Sequence, residues 1–514
     1  MATANLSRML EWASWRLPNK DALIFEEERW TYARLDADVN ALAAGLLDLG
    51  IRRGEIVAIL AMNCPEYILL CLAVSKIGAV FLPLNYRLHE EEVAYELEHS
   101  GAVYLASEAQ YAPLCERLLG RLPALRGLLA LRPPAGSDWA DAHRLMDLQR
   151  GVRVPDAALG DDDLQRVLYT SGTTSHPKGA LLTHGNVNAN MDAQIVDLGL
   201  TASDRILNFG PLYHVGGLDI PGFTTFHVGA TMVLMRAFDP PSILRLITSE
   251  RITGMCMVQT MVHRLRDAAR EGEYDTSSVR WMIFGQVAHA LFEDTCRLFP
   301  TTRLIEGYGL TETCNGVAYL DEAHMFSKPG SVGRPLTRVD IRIVDDGGTP
   351  LAAGELGEIA VRGPKVCAGY LHDAEATRAA FREGWFHTGD IGHFDSDGYL
   401  YVVDRRKDMI RSGGENIASS EIEHVVYDHP AVGEAAVVAL ADVQWGEIPV
   451  LFVAAREGAH VDPEALLDHC RSRLGKFKVP KRVIVVDELP RNPSGKVLKR
   501  ELRERLSALA AAGV

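Results

Sequence analysis

The densest chemistry in this sequence lies in twelve residues, Tyr169-Thr-Ser-Gly-Thr-Thr-Ser-His-Pro-Lys-Gly-Ala180. Six hydroxyl side chains (Tyr169, Thr170, Ser171, Thr173, Thr174, Ser175), two glycines and one lysine, Lys178, fall in that run. Leu164 to Leu168 before it reads as a short strand, and Thr183 after it is a helix-start signal. A strand, a Gly/Ser/Thr loop and a helix can turn backbone N–H groups onto phosphate oxygens, with hydroxyls as further donors and a lysine as a point charge. The pattern G-x-x-x-x-G-K-(S/T) cannot be laid on the run, so a Walker-type loop is excluded. Gly, Ser and Thr are also ordinary residues of a solvated turn, and the run alone leaves both readings open.

Four more stretches could carry chemistry. Tyr308-Gly-Leu-Thr-Glu-Thr313 puts a carboxylate, Glu312, into a hydroxyl-rich turn after a strand. Asp390 ends Trp385-Phe-His-Thr-Gly-Asp390 and by itself reads as a turn residue. Arg411-Ser-Gly-Gly-Glu-Asn-Ile417 holds adjacent glycines, which make a tight turn or let backbone approach a ligand. Lys496 ends Pro490-Arg-Asn-Pro-Ser-Gly-Lys496 and by itself reads as a surface lysine.

Taken together and in this order, the motifs resemble the adenylate-forming superfamily of acyl-CoA synthetases, peptide-synthetase adenylation domains and luciferases. The family loop usually reads Tyr or Phe, then Thr-Ser-Gly-(Thr/Ser)-Thr-Gly-x-Pro-Lys-Gly. Here Ser175 replaces the third glycine, which stiffens the loop slightly without removing a phosphate ligand. The resemblance runs from about Trp30 to Arg503. It implies that Thr170, Ser171, Gly172, Thr173, Thr174 and Lys178 hold the phosphates of ATP. Glu312 is the implied Mg²⁺ ligand, Thr311 the contact to the α-phosphate and Tyr308 the platform for adenine. Asp390 is the implied acceptor of the ribose hydroxyls, and Arg405 holds the same region. Lys407 matches the hinge, Gly414 the close approach to a pantetheine arm, and Lys496 the cation that bridges carboxylate and α-phosphate. A fixed cation there offsets the repulsion of two anions as charge builds up.

The acid pocket is bordered by Pro211-Leu-Tyr-His-Val-Gly-Gly217 in the same resemblance. His214 stands where the family shields the carboxylate before the thiol arrives; the alternative is a core histidine. Amino-acid-activating relatives carry Asp at the next position. Here it is Val215, which argues against an amino-acid substrate, because a buried ammonium without a partner is costly. Gly216, Gly285, Gly309 and Gln259 complete the expected pocket, and Gln286 is grouped with the nucleotide-binding residues. Gln259 and Gln286 depart from the family pattern; they face a functionalised acid or adenine, or satisfy each other. The apolar neighbours Leu218, Val258 and Met261 favour an aliphatic or bulky alicyclic acid over a small aryl acid.

The implied reaction has two halves. A carboxylate attacks MgATP to give acyl-AMP and pyrophosphate, and coenzyme A then takes the acyl group and releases AMP. A carrier-protein thiol is the alternative acceptor. A luciferase-like oxygenase and a nucleotide-binding scaffold without catalysis are further alternatives.

These residues need a large scaffold. A chain of 514 residues exceeds one core. Between residues 21 and 160, and on to about 306, short apolar runs alternate with helical stretches, which predicts an α/β fold with buried parallel strands. The runs include 56–60, 79–82, 102–105, 205–209, 231–234, 254–258, 281–284 and 303–306. After about 330, strands joined by Asp-Gly turns suggest a β-rich subdomain, and beyond 408 a small α+β tail follows. The expected domains are 1–406, for adenylation, and 407–514, a mobile lid.

The net charge of −15 argues against nonspecific nucleic-acid binding. Locally, residues 471–506 hold twelve Lys/Arg against four Asp/Glu, either a solvated face or the footprint of a phosphorylated partner. The eight cysteines form no C-x-x-C pair and read as buried small hydrophobes of a reduced, cytoplasmic setting. No signal peptide is expected, and 68–84 reads as a buried helix followed by a strand rather than a membrane span. The expected partners are the acid, ATP and coenzyme A, and a homodimer is allowed.

Overall fold

Short runs of apolar residues bounded by glycine become the strands of two parallel-rich sheets. The computed structural model describes residues 4–132, 138–170, 177–285, 295–412, 415–456, 458–492 and 496–511. By the density of internal contacts the chain forms two compact units, residues 1–341 with 361–386, and residues 342–360 with 387–514.

In the first unit one sheet has the order Ala140–Asp141, Gly127–Arg132, Tyr104–Glu108, Ile56–Leu60, Val80–Leu84, Leu164–Thr170, Lys178–Thr183. All its neighbours are parallel except the last pair. The second sheet runs from Ser331–Pro335 through Asn315–Leu320, Arg303–Leu310, Trp281–Gly285, Gly254–Val258, Arg205–Asn208 and Thr231–Leu234 to Asp21–Phe25 and Glu28–Thr31. Its middle is parallel and its two flanks are antiparallel. Helix Pro65–Lys76 is buried along its whole length, as expected for a helix inside a core. Among the described residues no helix is long and apolar enough to cross a membrane.

The predicted strand, loop and helix around Lys178 need correcting. Lys178 does not lead directly into a helix: it opens the strand Lys178–Thr183, paired antiparallel with Leu164–Thr170 in the register Thr170↔Lys178. The following helix, His184–Leu198, is closed at its start by a capping box in which the Thr183 hydroxyl accepts from Asn186 N–H. Its first N–H groups, those of His184, Gly185 and Asn186, therefore already have partners within the protein.

In the second unit, Leu400–Arg405 runs antiparallel to Trp385–Phe394, with Asp390 opposite Arg405. A further sheet is built from Glu415–Ile417, Ile410–Ser412, Gly446–Ala455 and Val432–Asp442, with Arg482–Val486 parallel to Gly446–Ala455. Alternation along these strands feeds two cores. Val437, Leu451 and Val453 join Ile422, Val426 and Leu466 of the helices Ser419–Tyr427 and Pro463–Arg471. Val438, Val450 and Phe452 join Leu502 and Leu506 of the helix Lys499–Ala511. The segment 387–406 thus groups with the tail, so the contact-based division does not coincide with 406/407. A boundary and hinge at Lys407 remain a proposal about motion. The cysteines match expectation in six of eight cases, with Cys256 and Cys296 only half-buried.

Candidate active site

Two groups of the expected residues come together, one in each unit. In the first, the turn Thr311–Thr313 joins Arg303–Leu310 to Asn315–Leu320, and the Thr313 hydroxyl ties it by accepting from Leu310 N–H and donating to Asn315 O at 2.6 Å. A Cβ on Gly309 would come within 2.2 Å of Asn315 O, so this expected pocket residue is also the one that lets the hairpin close. Glu312, Thr311 and Tyr308 are all half-buried around the turn. The Tyr370 hydroxyl donates to Glu312 Oε1 at 3.0 Å, and Lys178 Nζ lies 5.4 Å from the centre of the Tyr370 ring. The expected phosphate lysine and metal carboxylate are therefore joined through one aromatic residue that sequence reasoning missed. Its signal was faint: an aromatic after Gly369, far from either partner in the chain.

The expected acid pocket gathers at carboxyl ends of parallel strands, where open α/β sheets bind ligands. Val258 and Gly285 end two adjacent parallel strands, and Gly307 lies beside Gly285 within the next, in the register Val258↔Gly285↔Gly307. Val258 is 46% exposed. Among the described residues, no atom lies within 4 Å of where a Cβ on Gly285 would sit. Gln259 begins the helix Gln259–Ala268. His214 caps the short helix Val215–Asp219, its Nδ1 accepting from Gly216 N–H at 3.0 Å, and its side chain is exposed. The core-histidine alternative is thereby excluded. Val215 packs with Leu212 and Leu218 in the main core.

A buried polar network underlies these parts, also unforeseen. Arg166, on the strand that leads to Thr170, pairs with Asp219, which ends the His214 helix; both side chains are almost wholly buried. Lys365 donates to Asn190 Oδ1 at 2.7 Å and to Gly316 O. Gln194 Nε2 reaches Asp219 O. Burial lowers the Lys365 ammonium to about 8, with the acidic groups of Cys314, Asp219 and Asp197 opposing the shift. Charged residues at 166, 219 and 365 carry no spacing that would have announced their meeting.

In the second unit, Arg405 Nε lies 2.6 Å from Asp390 Oδ1 across the strand pair, and Asp390 is buried. Lys407 is exposed, and its carbonyl accepts from Arg503 of the last helix at 3.3 Å. The Lys496 backbone is held by a reciprocal pair of contacts with Asn492, Lys496 N–H to the side-chain Oδ1 at 2.8 Å and Asn492 N–H to Lys496 O at 2.8 Å. Its side chain reaches solvent, yet surrounding atoms desolvate the ammonium and lower its pKa. Arg405 and Lys407 act in the same direction, while Asp390 and Asp408 oppose it. Ser171, Gly172, Thr173, Thr174, Gln286 and Gly414 lie outside the described residues, as does the side chain of Gln259.

With this geometry in place, likeness to known proteins becomes informative. The family described as AMP-binding enzyme matches residues 10–371, and the AMP-binding enzyme C-terminal domain matches 421–496. The chain belongs to the AMP-binding enzyme family. A feruloyl-CoA synthase from Amycolatopsis is 40% identical over 477 residues, covering 92% of this chain and 94% of that protein. The long-chain-fatty-acid–CoA ligase FadD13 of Mycobacterium tuberculosis is 36% identical, covering 93% of this chain and 94% of its own length. Among solved structures, o-succinylbenzoate CoA synthetase (MenE) from Bacillus subtilis, in complex with its acyl-adenylate intermediate, superposes with a TM-score of 0.87 at 33% identity, covering 96% of this chain and 97% of that one. The same enzyme has been solved with ATP and magnesium ion, at a TM-score of 0.85 and 32% identity, covering 96% and 98%. The expected adenylate-forming family and its α/β architecture, with a large N-terminal and a small C-terminal domain, therefore hold.

Proposed function

We propose that this protein activates a carboxylic acid with MgATP to acyl-AMP and pyrophosphate and then passes the acyl group to a thiol, coenzyme A in the first place. The chain is an AMP-forming acid–thiol ligase. The observation that carries this reading is the meeting of Lys178, Tyr370 and Glu312 in a chain of the AMP-binding enzyme family. ATP, Mg²⁺ and coenzyme A are its co-substrates and cofactor.

Lys178 and the hydroxyls of residues 170–174 meet the phosphates, and Tyr308 and Asp390 with Arg405 meet the adenosine. Thr311 orients the α-phosphate. The chemistry of the donor set fits Mg²⁺. Among the described residues no cluster of three or more His, Cys, Asp or Glu could hold a metal, and Mg²⁺ beside nucleotides is ordinarily held by one or two carboxylates plus substrate phosphates. Glu312 would supply that carboxylate, and the bound ion would offset charge on the phosphates. Lys496 stabilises the charge that builds up between carboxylate and α-phosphate. His214 shields the carboxylate until the thiol arrives, and Gly216, Gly285, Gly309 and Gln259 bound the acid, with Gln286 beside the nucleotide. A turn about Lys407 then exchanges Lys496 for the Gly414 loop, which admits the pantetheine arm.

The proposed acid has an apolar body, aliphatic or bulky alicyclic, a reading supported by the apolar Leu218, exposed Val258 and Met261. The likeness to feruloyl-CoA synthase supports an aryl acid as a second reading. A carrier-protein thiol is the second reading for the acceptor. The protein is proposed to work in the cytoplasm, as a monomer or homodimer.

Mass-spectrometric product analysis with MgATP, coenzyme A and a panel of fatty, alicyclic and aryl acids tests this. A new acyl-CoA with matching AMP is expected. Acyl-AMP that is consumed only by a holo carrier protein would replace coenzyme A as the acceptor, and formation of no AMP with any acid would overturn the reading.

A further inference from the structure

The segment that bears Tyr370 is fastened on three sides. Leu181 N–H donates to Gly369 O, Leu371 N–H to Gly179 O and Ala368 N–H to Leu181 O, which fixes it along the strand that Lys178 opens. Cys367 N–H donates to Glu312 O at 2.7 Å, which fixes it to the turn. Tyr370 N–H donates to the Thr377 hydroxyl at 3.0 Å. Gly369, at φ +132, supplies a backbone conformation that L side chains rarely adopt, and a Cβ there would meet the Thr377 side chain at 2.7 Å. This fastened backbone carries the Tyr370 side chain with its hydroxyl on Glu312 and its ring beside Lys178.

We infer that Tyr370 is a positioning residue for the metal carboxylate: its hydroxyl fixes one oxygen of Glu312 and leaves the other aimed at the Mg²⁺ of MgATP, while its ring steadies Lys178. This rests on the reading of Glu312 as the metal ligand. A carboxylate that accepts a hydrogen bond on one oxygen loses rotational freedom at the other, and partners of this kind tune metal affinity. A cation over an aromatic face gains a modest further attraction. A lysine and a glutamate in direct contact would neutralise each other; a tyrosine between them keeps both available to their separate ligands.

Three variants test this, with circular dichroism as the check on folding. Binding of Mn²⁺ in the presence of ATP and the absence of acid is read by electron paramagnetic resonance. Tyr370→Phe removes only the hydroxyl and should weaken Mn²⁺ binding about 10- to 100-fold, the range seen when a ligand's hydrogen-bond partner is lost. Its ATP–pyrophosphate exchange should recover at high Mg²⁺, and thioester formation from supplied acyl-adenylate should stay at the wild-type rate. Tyr370→Leu should in addition raise the KM for ATP, because the ring beside Lys178 is gone. Wild-type Mn²⁺ affinity in Tyr370→Phe, with Glu312→Gln impaired, would overturn the inference alone. Wild-type affinity in both variants would overturn the reading of Glu312 as well.

Discussion

Lys178 and Glu312 meet through a neutral tyrosine, whereas Lys496 shares its surroundings with two other cations, Arg405 and Lys407, and with the carboxylates of Asp390 and Asp408. The first arrangement is held by backbone pairing and rests on the buried Arg166–Asp219 pair and Lys365. It is built to keep opposite charges apart at fixed positions. The second gathers Lys496, Lys407, Arg405 and Arg503 around the carboxylates of Asp390 and Asp408, its lysines are partly desolvated, and the pKa of both Lys407 and Lys496 is lowered. Among these described groups positive charge predominates, which favours an anionic ligand. Preorganisation suits groups that hold ATP throughout, and an unbalanced cluster suits a cation needed in one half-reaction only.

The sharpest way to break that contrast is Lys496→Ala. Loss of a group that stabilises transition-state charge typically costs about 10²–10³ in kcat, and ATP–pyrophosphate exchange should fall by that order. Thioester formation from supplied acyl-adenylate should change little. Equal losses in both half-reactions would remove the distinction between the two regions.

Next in size comes Asp219→Ala, which strands the buried Arg166. Removing one member of a buried ion pair typically costs about 3–5 kcal/mol, and denaturant unfolding should report a loss of that order. Substituting Asp408 on the other side should cost far less, since its partner Arg503 is partly exposed. Comparable losses at both sites would mean that the first region is not specially reinforced.

The smallest effect is a shift with pH. In its proposed role Lys496 acts as a cation, and its lowered pKa means that the ammonium is lost at a lower pH than for an ordinary lysine. The alkaline limb of kcat/KM, which reports free-enzyme groups, should therefore begin below the usual lysine range. Lys496→Arg should move that limb upward. Buried Lys365, lowered to about 8, is the competing source. A limb that stays put in Lys496→Arg and shifts in Lys365→Met would assign it to the buried lysine and contradict the account.

The elements that run on local signals were legible in the sequence. Ile56–Leu60, Thr231–Leu234 and Gly254–Val258 fall where apolar runs predicted them, because a strand buried on both faces must be apolar throughout. Thr183 caps a helix as its type suggested. The strand Lys178–Thr183 was missed because Gly179 and the approaching cap made it look continuous with the Gly/Ser/Thr-rich run before it. Asp390 and Arg405 were found as motif members, and their pairing follows from a strand register that fifteen residues of hairpin determine. Arg166, Asp219, Lys365 and Tyr370 were not found. Their partners are set by sheet order and by the crossing of residues 180 and 370, and no local pattern encodes contacts so distant in the chain.

Acid-dependent ATP–pyrophosphate exchange by the wild-type protein, with no thiol present, tests the central claim most directly. Exchange that requires both an apolar carboxylic acid and Mg²⁺ is the predicted result, since adenylate formation precedes and does not need the thiol. Absence of exchange with every acid, in a protein that still binds MgATP, would contradict the account.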